Sequence, residues 1–556
     1  MRLSFGREKP FAYLITYLIG DLSVGAGSRA PWEEITPIAL ISRRGLLLGA
    51  SGAGLIAGLP ELAFAQGAPV RGGTIVASMD LQPKSLDPIM GDAPTSDRYA
   101  LIQMFEGLLK FDVQGNLQPS LATSWQWSED KKSVVFRLRE GVVFHDGEPF
   151  DAEAAVFNIA RVVAPNSTAP RTPDLADIAG AEVAGPMTVK INLKQPSGAA
   201  LASLAVEAGM MCSPAALKKL GQDFGRQPVG TGPYKFAEWV GGSQIRFIRN
   251  ERYWRDGADG KRLPYADAVT LRIIPTTAVK MVEVKSGGVH LVDGVTPRDF
   301  EEVEKNPALT LVAVPPGIAQ WLTFNVSKGI FANPHLRAAV NHGIDRNVLM
   351  KGITRGFGAV TPTWVPPSDW SYDASVPQPK LDPAKVQALL KEGGQPNGFT
   401  CKLSIIQRDP DTQVAQIVQA QLKPFKINME IEILERQAWV PKVLGLQHEL
   451  AMGRVNVPRA DPDHVFGPFF GRTAAQNWSG IKDEEVFRLV DQGREETEQA
   501  KRKAIYKELQ TALNRNDYYS WLFFREARHV ARKELQNIVL DSGGAWQLAE
   551  AWLAKA

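Results

Sequence analysis

The chain has 556 residues, of which 44% are hydrophobic and 22% are charged. Because a single hydrophobic core stops growing at roughly 250–300 residues, this length predicts two or more lobes. The composition is typical of a folded, soluble chain and excludes a disordered, collagen-like or many-spanning membrane protein. The 63 basic and 60 acidic residues nearly balance, and no long basic run indicates nucleic-acid binding.

The number and spacing of the cysteines limit the possible disulfides and metal sites. Cys212 and Cys401 are the two cysteines, so the chain can form at most one disulfide. The sequence leaves their pairing open, although most free cysteines are buried thiols. No CxxC motif or Cys/His cluster has the spacing of a zinc site, so we predict neither a metal nor another cofactor.

An export signal is predicted near the N-terminus. Residues 45–59 (GLLLGASGAGLIAGL) form a weakly apolar run that is shorter than the roughly 20 residues of a membrane span. Arg43 and Arg44 precede this run, and the triplet Ala-Phe-Ala at 63–65 has the small-x-small pattern that signal peptidase accepts. We interpret residues 42–65 as a signal peptide. The paired arginines favour the twin-arginine route, with the general route as the alternative.

Cleavage is expected between Ala65 and Gln66, which places the mature protein in the periplasm. Residues 1–41 precede the signal as an unusually long N-terminal extension. Two explanations stay open for this extension: a start codon assigned too far upstream, or a genuine additional segment.

The first elements of the mature chain alternate between strand and helix. A β-prone run at 74–78 predicts a strand, and the apolar spacing over 96–109 predicts a helix. Alternating apolar residues at 134–138 predict a half-buried strand. An Asp-Gly turn at 146–147 then leads to a helix that begins after Asp151.

The same alternation continues to the C-terminal end. Further strands are expected at 234–236, 269–274 and 309–314, and further helices at 277–285, 336–350, 483–490 and 495–513. The last of these helices is expected to bury Ala504, Ile505, Leu509 and Leu513. Such alternation favours α/β lobes with partly parallel sheets.

Several segments together resemble one protein family. They are FEGLLKFD at 105–112, FHDGEPFDAEAAVFNIARV at 144–162, PVGTGPYKFAEW at 228–239, NERYW at 250–254, LTFNVSKGIFANPHLRAAVNHGIDR at 322–346 and LDPAKVQALLKEGGQPNGF at 381–399. In this order they resemble the extracellular solute-binding proteins of family 5, which serve peptide and nickel ABC importers. The resemblance covers nearly all of residues 70–545.

The resemblance implies an α/β fold that is periplasmic-binding-protein-like, of type II and of the large cluster with an extra inserted lobe. Two principal lobes, joined by two crossing strands, would surround a hinged cleft. The implied lobe I consists of residues 66–107, 207–276 and 531–556, lobe II of 108–206, and lobe III of 277–530.

The resemblance also implies a function. The protein would capture a peptide or peptide-like solute and deliver it to an ABC permease, as a monomer that binds no nucleic acid. We expect no enzyme, since the chain has no GxSxG or HExxH motif, and no GxxxxGK[ST] loop, so the ATPase subunits would be separate chains. The alternatives are an opine, oligosaccharide or chelated metal as the solute, or a chaperone or chemoreceptor with the same fold.

One loop is the main candidate for ligand contact. In the family the loop at Asp461 approaches the cleft, and peptide-binding members often carry an aspartate three residues earlier that holds the α-amino group. Here that position is Pro458, which offers no acceptor, whereas the adjacent Arg459 suits a carboxylate or phosphate. We therefore expect an anionic or neutral ligand. Asp461 and Asp463 stay candidates for an amine, and Arg459 facing solvent is the alternative.

Further candidates come from other segments. His464 follows the same loop; nickel-binding relatives can place a histidine near the cleft, yet a metal site needs several converging ligands, so we expect hydrogen bonding within the loop. Trp321 and Trp439 are flat side chains suited to an adaptable pocket, with core packing as the alternative. Tyr99 and Asp92 are candidates from the first lobe.

Overall fold

A computed structural model describes residues 68–91, 94–113, 115–295, 297–363, 365–456, 461–541 and 543–554. The predicted extension and signal peptide, together with Asp92, Pro458 and Arg459, lie outside the described residues. Residues Gly67–Ala556 form one compact unit. Within the part of the chain that is described, no helix is both long enough and apolar enough to span a bilayer.

The strands follow in chain order. They are β1 (Thr74–Met79), β2 (Leu109–Phe111), β3 (Leu117–Pro119), β4 (Ala122–Trp127), β5 (Ser133–Leu138), β6 (Ile178–Gly185), β7 (Thr188–Leu193), β8 (Tyr234–Val240), β9 (Gln244–Arg249), β10 (Ala268–Ile273), β11 (Leu291–Val295), β12 (Leu309–Phe324), β13 (Gly358–Ala359), β14 (Phe399–Ile406), β15 (Ile427–Leu434), β16 (Leu450–Asn456), β17 (Tyr519–Arg532), β18 (Leu535–Gln536), β19 (Val539–Leu540), β20 (Trp546–Gln547) and β21 (Trp552–Leu553).

The α-helices are α1 (Pro94–Met104), α2 (Ala152–Val163), α3 (Ala200–Ser203), α4 (Pro214–Leu220), α5 (Thr277–Ser286), α6 (Pro297–Lys305), α7 (Pro334–His342), α8 (Arg346–Thr354), α9 (Pro383–Glu392), α10 (Asp411–Leu422), α11 (Arg436–Leu444), α12 (Asp463–Phe470), α13 (Glu484–Glu495) and α14 (Gln499–Arg515). Short 3₁₀ helices lie at Thr172–Leu175, Glu207–Gly209, Gly221–Arg226, Ile330–Ala332, Lys423–Phe425 and Leu548–Glu550.

One large sheet organises the fold. Its strand order is β15-β14-β16-β12-β17-β11-β1-β10-β9-β8, and β13 pairs with β17. β1 is parallel to β10 and β11, and β14 is parallel to β15 and β16. The long strands β12 and β17 are antiparallel to each other and connect these two parallel groups. A separate antiparallel sheet has the order β4-β5-β7-β6.

The two parallel groups point toward each other. β11 ends at Val295, which pairs with Arg528 of β17, and β16 ends at Asn456, which pairs with Ile318 of β12. Between these points the β12–β17 ladder shifts register, between Val314 and Ile318. We call residues 314–318 of β12 and 525–528 of β17 the crossing segment. Both groups of parallel strands therefore present their carboxyl ends at this segment.

Several hydrophobic cores surround these sheets. One core lies between the four-stranded sheet and α2, and a second surrounds β1, β9 and β10 with Trp546. A third packs α7 to α10 on one face of β12 through Leu322, and a fourth packs α12 to α14 on the opposite face through Trp321. The separate cores agree with the expectation from chain length that no single core could fill the protein.

Most elements predicted from periodicity are present. Helix α2 illustrates why: the Asp151 side chain accepts a hydrogen bond from the Ala154 N–H at 2.9 Å and caps the helix, while Ala155 and Ile159 lie on its buried face. The strand predicted at 309–314 is longer than expected, because β12 continues to Phe324.

Two predicted helices differ from the structure. The helix predicted at 96–109 ends at Met104, since the chain then forms a bridge between Gly107 and Met210. A Cβ atom on Gly107 would lie 2.7 Å from the Leu204 carbonyl oxygen, so this close approach requires glycine. The helix predicted at 336–350 is two helices, α7 and α8, because Asp345 caps a new helix after His342.

The buried stripe predicted for the last long helix was partly wrong. Ala504 is exposed and Ile505 half-buried, whereas Leu509 and Leu513 are buried as predicted. Arg502 and Tyr506 are buried in the same helix. The predicted apolar stripe did not include Arg502, since an arginine is rarely buried unless it has a partner.

The two cysteines are buried free thiols. Cys212 lies in the core around β1, and Cys401 lies in the core on the Leu322 face of β12. Burial raises the pKa of Cys401 to about 12 and that of Cys212 further. Both thiols are therefore protonated, unreactive core residues.

Candidate functional site

The carboxyl ends of parallel strands define where a ligand site is expected in open α/β sheets. Here β14 is followed by Arg408, β16 carries Arg454 near its end, and β17 carries Arg525 in the crossing segment. We call Arg408, Arg454 and Arg525 the arginine cluster. None of these residues was singled out by the sequence.

Pairing between strands places the arginine cluster on one sheet face. Gln320 of β12 pairs with Arg454 of β16 and with Phe523 of β17, and directly paired residues share a face. Arg525 is two residues from Phe523, so it lies on that face as well. Phe523 belongs to the core that contains Leu322 and α10. The cluster therefore lies on the α10 side of the sheet.

Asp411, the first residue of α10, is the carboxylate at the centre of the cluster. Its side chain is fully buried and accepts hydrogen bonds from Arg408 Nε at 2.6 Å and Gln320 Nε2 at 2.9 Å. Arg454 Nη1 lies 3.7 Å from Asp411 Oδ1 and donates to the Asp409 carbonyl oxygen at 2.9 Å. Arg408 and Arg454 thus form ion pairs with this carboxylate, and its charge also acts on Arg525.

The cluster carries excess positive charge. Burial lowers the pKa of Arg454 to about 10, repulsion from Arg408 and Arg525 adds to this, and Asp411 opposes it. Burial and Arg408 likewise lower the pKa of Arg525. The Arg525 Nε atom is buried and has no hydrogen-bond partner among the described residues. Arg408 and Arg454 keep 24% and 27% of their side chains exposed, so the cluster is accessible.

Asp461, from the predicted binding loop, lies on the opposite side of the sheet from the arginine cluster. Asp461 binds Arg502 of α14 through two hydrogen bonds of 2.6 Å, and both side chains are almost completely buried. Burial alone would raise the pKa of Asp461, but the attraction of Arg502 outweighs it and the pKa lies below its usual range. In this structure Asp461 is thus neutralised by the protein itself.

Asp463 and His464 also bind protein groups. Asp463 Oδ2 accepts a hydrogen bond from Arg494 Nε at 3.0 Å, and burial raises the Asp463 pKa despite this arginine. His464 Nε2 lies 2.9 Å from Ser203 Oγ of α3. Among the described residues no group of three or more His, Cys, Asp or Glu side chains is arranged to hold a metal ion. A solute contact by Asp463 or His464 stays a prediction.

The two candidate tryptophans pack inside the protein. Trp321 is fully buried, donates its Nε1–H to Thr323 Oγ1 at 2.9 Å and stacks on Trp478 at 5.8 Å between ring centres. Trp439 is 3% exposed and donates to the Ser404 carbonyl oxygen at 3.1 Å. Their contacts in this structure are those of core residues, and ligand contact by either stays a prediction.

Tyr99 is the described candidate from the first lobe. It is 4% exposed and stacks on Trp546 at 4.1 Å between ring centres. Burial raises its pKa well above the usual value, so the hydroxyl stays protonated. Ligand contact by Tyr99 also stays a prediction. Asp92 lies outside the described residues.

Charged residues on the other side of the crossing segment form ion pairs with one another. Asp80 follows β1, and both Asp80 and Asp293 of β11 form ion pairs with the fully buried Lys280. Burial raises the pKa of Asp293 to about 6, although Lys280 opposes this shift. The lysine and the two carboxylates hold together the carboxyl ends of β1 and β11.

Two concavities among the described residues lie elsewhere. One is a cavity of about 80 Å³ lined by Arg98, Glu106 and Lys110. The other is an open groove of about 730 Å³ lined by His145, Lys219 and other residues. Neither contains a member of the arginine cluster or Asp461.

Comparison with known proteins agrees with this architecture. The family model "Bacterial extracellular solute-binding proteins, family 5 Middle" matches residues 116–477. The glutathione-binding protein GsiB of Salmonella paratyphi A is 32% identical over 400 residues, which covers 71% of this chain and 76% of that protein. GsiB of Escherichia coli K12 is 32% identical over 403 residues, with the same coverage of 71% and 76%.

Solved structures show the same fold. The periplasmic binding protein DppA from Helicobacter pylori, in complex with the peptide STSA, has a TM-score of 0.71 and 25% identity, covering 87% of this chain and 99% of that one. The binding protein AgaA from A. tumefaciens R10, in complex with agropinic acid, has a TM-score of 0.70 and 24% identity over 87% and 99%. The fold is that of a type II periplasmic binding protein with two principal lobes, as predicted.

The chain belongs to the bacterial extracellular solute-binding proteins of family 5. This is a family of solute-binding proteins and not of enzymes, and its members work with ABC permeases. The family therefore confirms the class of function predicted from the sequence.

Proposed function

We propose that this protein is the periplasmic receptor of an ABC importer and that it binds a peptide or peptide-like solute at the crossing segment. One observation carries the proposal: two groups of parallel strands present their carboxyl ends there, and the long strands β12 and β17 run through both groups. A ligand bound between the groups would contact both, so its binding energy would favour closure of a hinge in β12 and β17.

The named relatives support a peptide-like solute. Proteins about one third identical to this chain are called glutathione-binding proteins, and a structure of similar fold contains the peptide STSA. Agropinic acid in the similar AgaA structure keeps an acidic non-peptide solute as the second candidate. Both solutes would suit a site whose accessible charges are arginines.

For the organisation around this site we keep the division and the export route predicted from the sequence. We propose that lobe I consists of 66–107, 207–276 and 531–556, lobe II of 108–206 and lobe III of 277–530. We also propose that residues 42–65 direct export and that the mature chain, beginning near Gln66, acts as a monomer with ABC permease and ATPase subunits. The separate cores around the four-stranded sheet and around α7 to α14 support distinct lobes II and III, whereas Leu291 and Val314 of the proposed lobe III pack in the core with Ile75 of lobe I.

A thermal-shift screen of the exported protein tests the function. The panel contains glutathione, free-amine and N-acetylated peptides, oligosaccharides and nickel chelates. A ligand at about 100 times its Kd adds roughly 2.7 kcal/mol to the free energy of unfolding, which raises the melting temperature measurably. We expect stabilisation by peptides, including acetylated ones because Pro458 offers no acceptor for the amine. Stabilisation by sugars or chelates alone would contradict the proposal.

A further inference from the structure

The arginine cluster differs from other buried arginines in its charge balance. Arg98 forms ion pairs with both Glu207 and Asp541, and Arg502 forms a two-bond ion pair with Asp461. In the cluster, Arg408 and Arg454 share the single carboxylate of Asp411. Arg525 forms no ion pair with any carboxylate of the described residues.

Asp411 has little capacity left for Arg525. Its Oδ1 accepts from Gln320 and lies near Arg454, while its Oδ2 accepts from Arg408. Asp411 attracts Arg525, while Arg408 and Arg454 repel it, and no second carboxylate of the described residues forms an ion pair with it. Counting only the three guanidinium groups and the Asp411 carboxylate, the cluster carries a formal charge of two positive units.

An uncompensated charge in a partly buried site is unfavourable unless an opposite charge pairs with it. Guanidinium groups present parallel N–H donors that match the two oxygens of a carboxylate. The site lies at the carboxyl ends of β14 and β16, where a solute is expected, and Arg408 and Arg454 are partly exposed. These features suit an incoming anion better than a structural ion pair.

We infer that the arginine cluster binds two negative charges of the solute, so that the transported class carries two neighbouring carboxylates, as in a peptide with a C-terminal glutamate. The inference rests on the proposed function and makes it more specific. One carboxylate would compensate Arg525, and the second would share Arg408 and Arg454 with Asp411. A neutral peptide, which brings one carboxylate, would leave one positive charge unbalanced.

Two tripeptides of nearly identical shape test this inference. Ala-Gly-Glu and Ala-Gly-Gln differ by one carboxylate, and their Kd values for the exported protein can be compared by isothermal titration calorimetry. We expect Ala-Gly-Glu to bind at least about tenfold more tightly, the size of one charge-assisted hydrogen bond. We also expect this ratio to fall when the salt concentration rises, because salt screens exposed charges.

Variants locate the effect. Arg525→Gln is expected to reduce the Glu/Gln affinity ratio to about threefold or less, and Arg454→Gln to reduce it by a similar amount. Arg488→Gln is the matched control, since Arg488 is exposed on α13 and hydrogen-bonds only Gln492 among the described side chains. Melting temperatures of the ligand-free variants show whether each one folds, and the two cluster variants check each other.

The outcomes separate the inference from the function on which it rests. Equal affinities for the two peptides, or a Glu/Gln ratio unchanged in both cluster variants, would overturn the inference while leaving a peptide receptor. Binding of neither peptide, with stabilisation only by sugars or chelates, would overturn the proposed function and the inference together. A preference for glutamate that both cluster variants abolish and the control keeps would support both.

Discussion

Asp411 and Asp461 are two buried aspartates that follow the parallel strands β14 and β16 in the chain, yet their surroundings differ. Asp461 forms a buried two-bond ion pair with Arg502, and its Oδ1 also accepts a hydrogen bond from the Asp463 N–H at 2.9 Å. Asp411 forms ion pairs with Arg408 and Arg454, whereas Arg525, on which Asp411 also acts, forms no ion pair with a carboxylate of the described residues. We call Asp461 with Arg502 the balanced pair, and its arrangement is that of a structural ion pair. We call Asp411 with the arginine cluster the unbalanced cluster, and its excess positive charge suits an anionic ligand.

The opposite faces of β12 explain how both arrangements coexist. Trp321 belongs to the core with α14, which carries Arg502, and Leu322 belongs to the core with α10, which begins at Asp411. Asp411 and the partner of Asp461 thus belong to helices that pack in different hydrophobic cores. Substitutions on one face can therefore be compared with substitutions on the other as nearly independent changes.

The largest effect is expected for the balanced pair. Arg502→Met leaves Asp461 buried without a counter-charge, and breaking a buried pair in this way costs about 3–5 kcal/mol. Urea unfolding should show this loss, while Arg488→Met on the surface of α13 should change the free energy of unfolding by less than about 0.5 kcal/mol. A loss below about 1 kcal/mol in Arg502→Met would break the comparison, because Asp461 would then not depend on its partner.

A smaller effect on the free energy of unfolding is expected for His529, a buried histidine that is neutral at pH 7. Burial lowers the pKa of His529 on β17 to about 4, although its hydrogen bond to the Gly544 carbonyl opposes this. Because the unfolded chain binds the proton near pH 6.5, stability is complete above that pH and falls as the pH drops toward 4. The loss amounts to about 3 kcal/mol at most. Asp461 behaves differently, since its lowered pKa removes stability only below about pH 4.

Urea unfolding at pH 7.0, 5.5 and 4.5 distinguishes the pH dependence that His529 causes from that caused by Asp461. His529→Gln should lose less stability between pH 7.0 and 4.5 than the unsubstituted protein. His335→Gln is the matched control, because His335 is 46% exposed and pairs with Glu392 at the surface. Identical pH profiles for His529→Gln and the unsubstituted protein would contradict this assignment.

The contact between α3 and α12 is expected to contribute less. Ser203→Ala removes the hydrogen bond to His464, which lies on the same face of β12 as Arg502. One such bond contributes about 1 kcal/mol to the free energy of unfolding. Ser243→Ala is the control, since Ser243 is exposed in the turn between β8 and β9. If both substitutions had the same effect on the melting temperature, the Ser203–His464 bond would have no stabilising role.

The smallest effect on the ligand-free protein is expected for the unbalanced cluster. Arg525→Met removes a partly buried cation that forms no ion pair with any described carboxylate, so we expect a change within about 1 kcal/mol, or a gain in stability. The same urea titration of Arg502→Met gives the loss of unfolding free energy with which this small change is compared. A loss near that of Arg502→Met would show that Arg525 has a structural role.

Much of the fold could be predicted because its causes are local. The capping aspartate and apolar stripe of α2, and the short apolar run of β1, are visible in the sequence. The break between α7 and α8 was missed because Asp345 and the residues before it interrupt a stripe whose apolar spacing continues across the gap. Family resemblance supplied the topology, which periodicity alone does not encode.

The arginine cluster could not be predicted because its members come from β16, β17 and the loop after β14, and only strand pairing brings them together. Arg502 was missed for a related reason: a charged residue on a helix is expected at the surface unless its partner is known. The segment QRDPD, directly after the apolar strand β14, was the one available signal for Arg408 and Asp411.

A crystal structure of the exported protein with Ala-Gly-Glu bound tests the central claim most directly. The unbalanced cluster should hold the solute, so we predict carboxylate oxygens of the peptide within hydrogen-bond distance of at least two of Arg408, Arg454 and Arg525. The ion pair between Asp461 and Arg502 should stay intact. A peptide whose carboxylates bind elsewhere, with the three arginines unoccupied, would contradict this account.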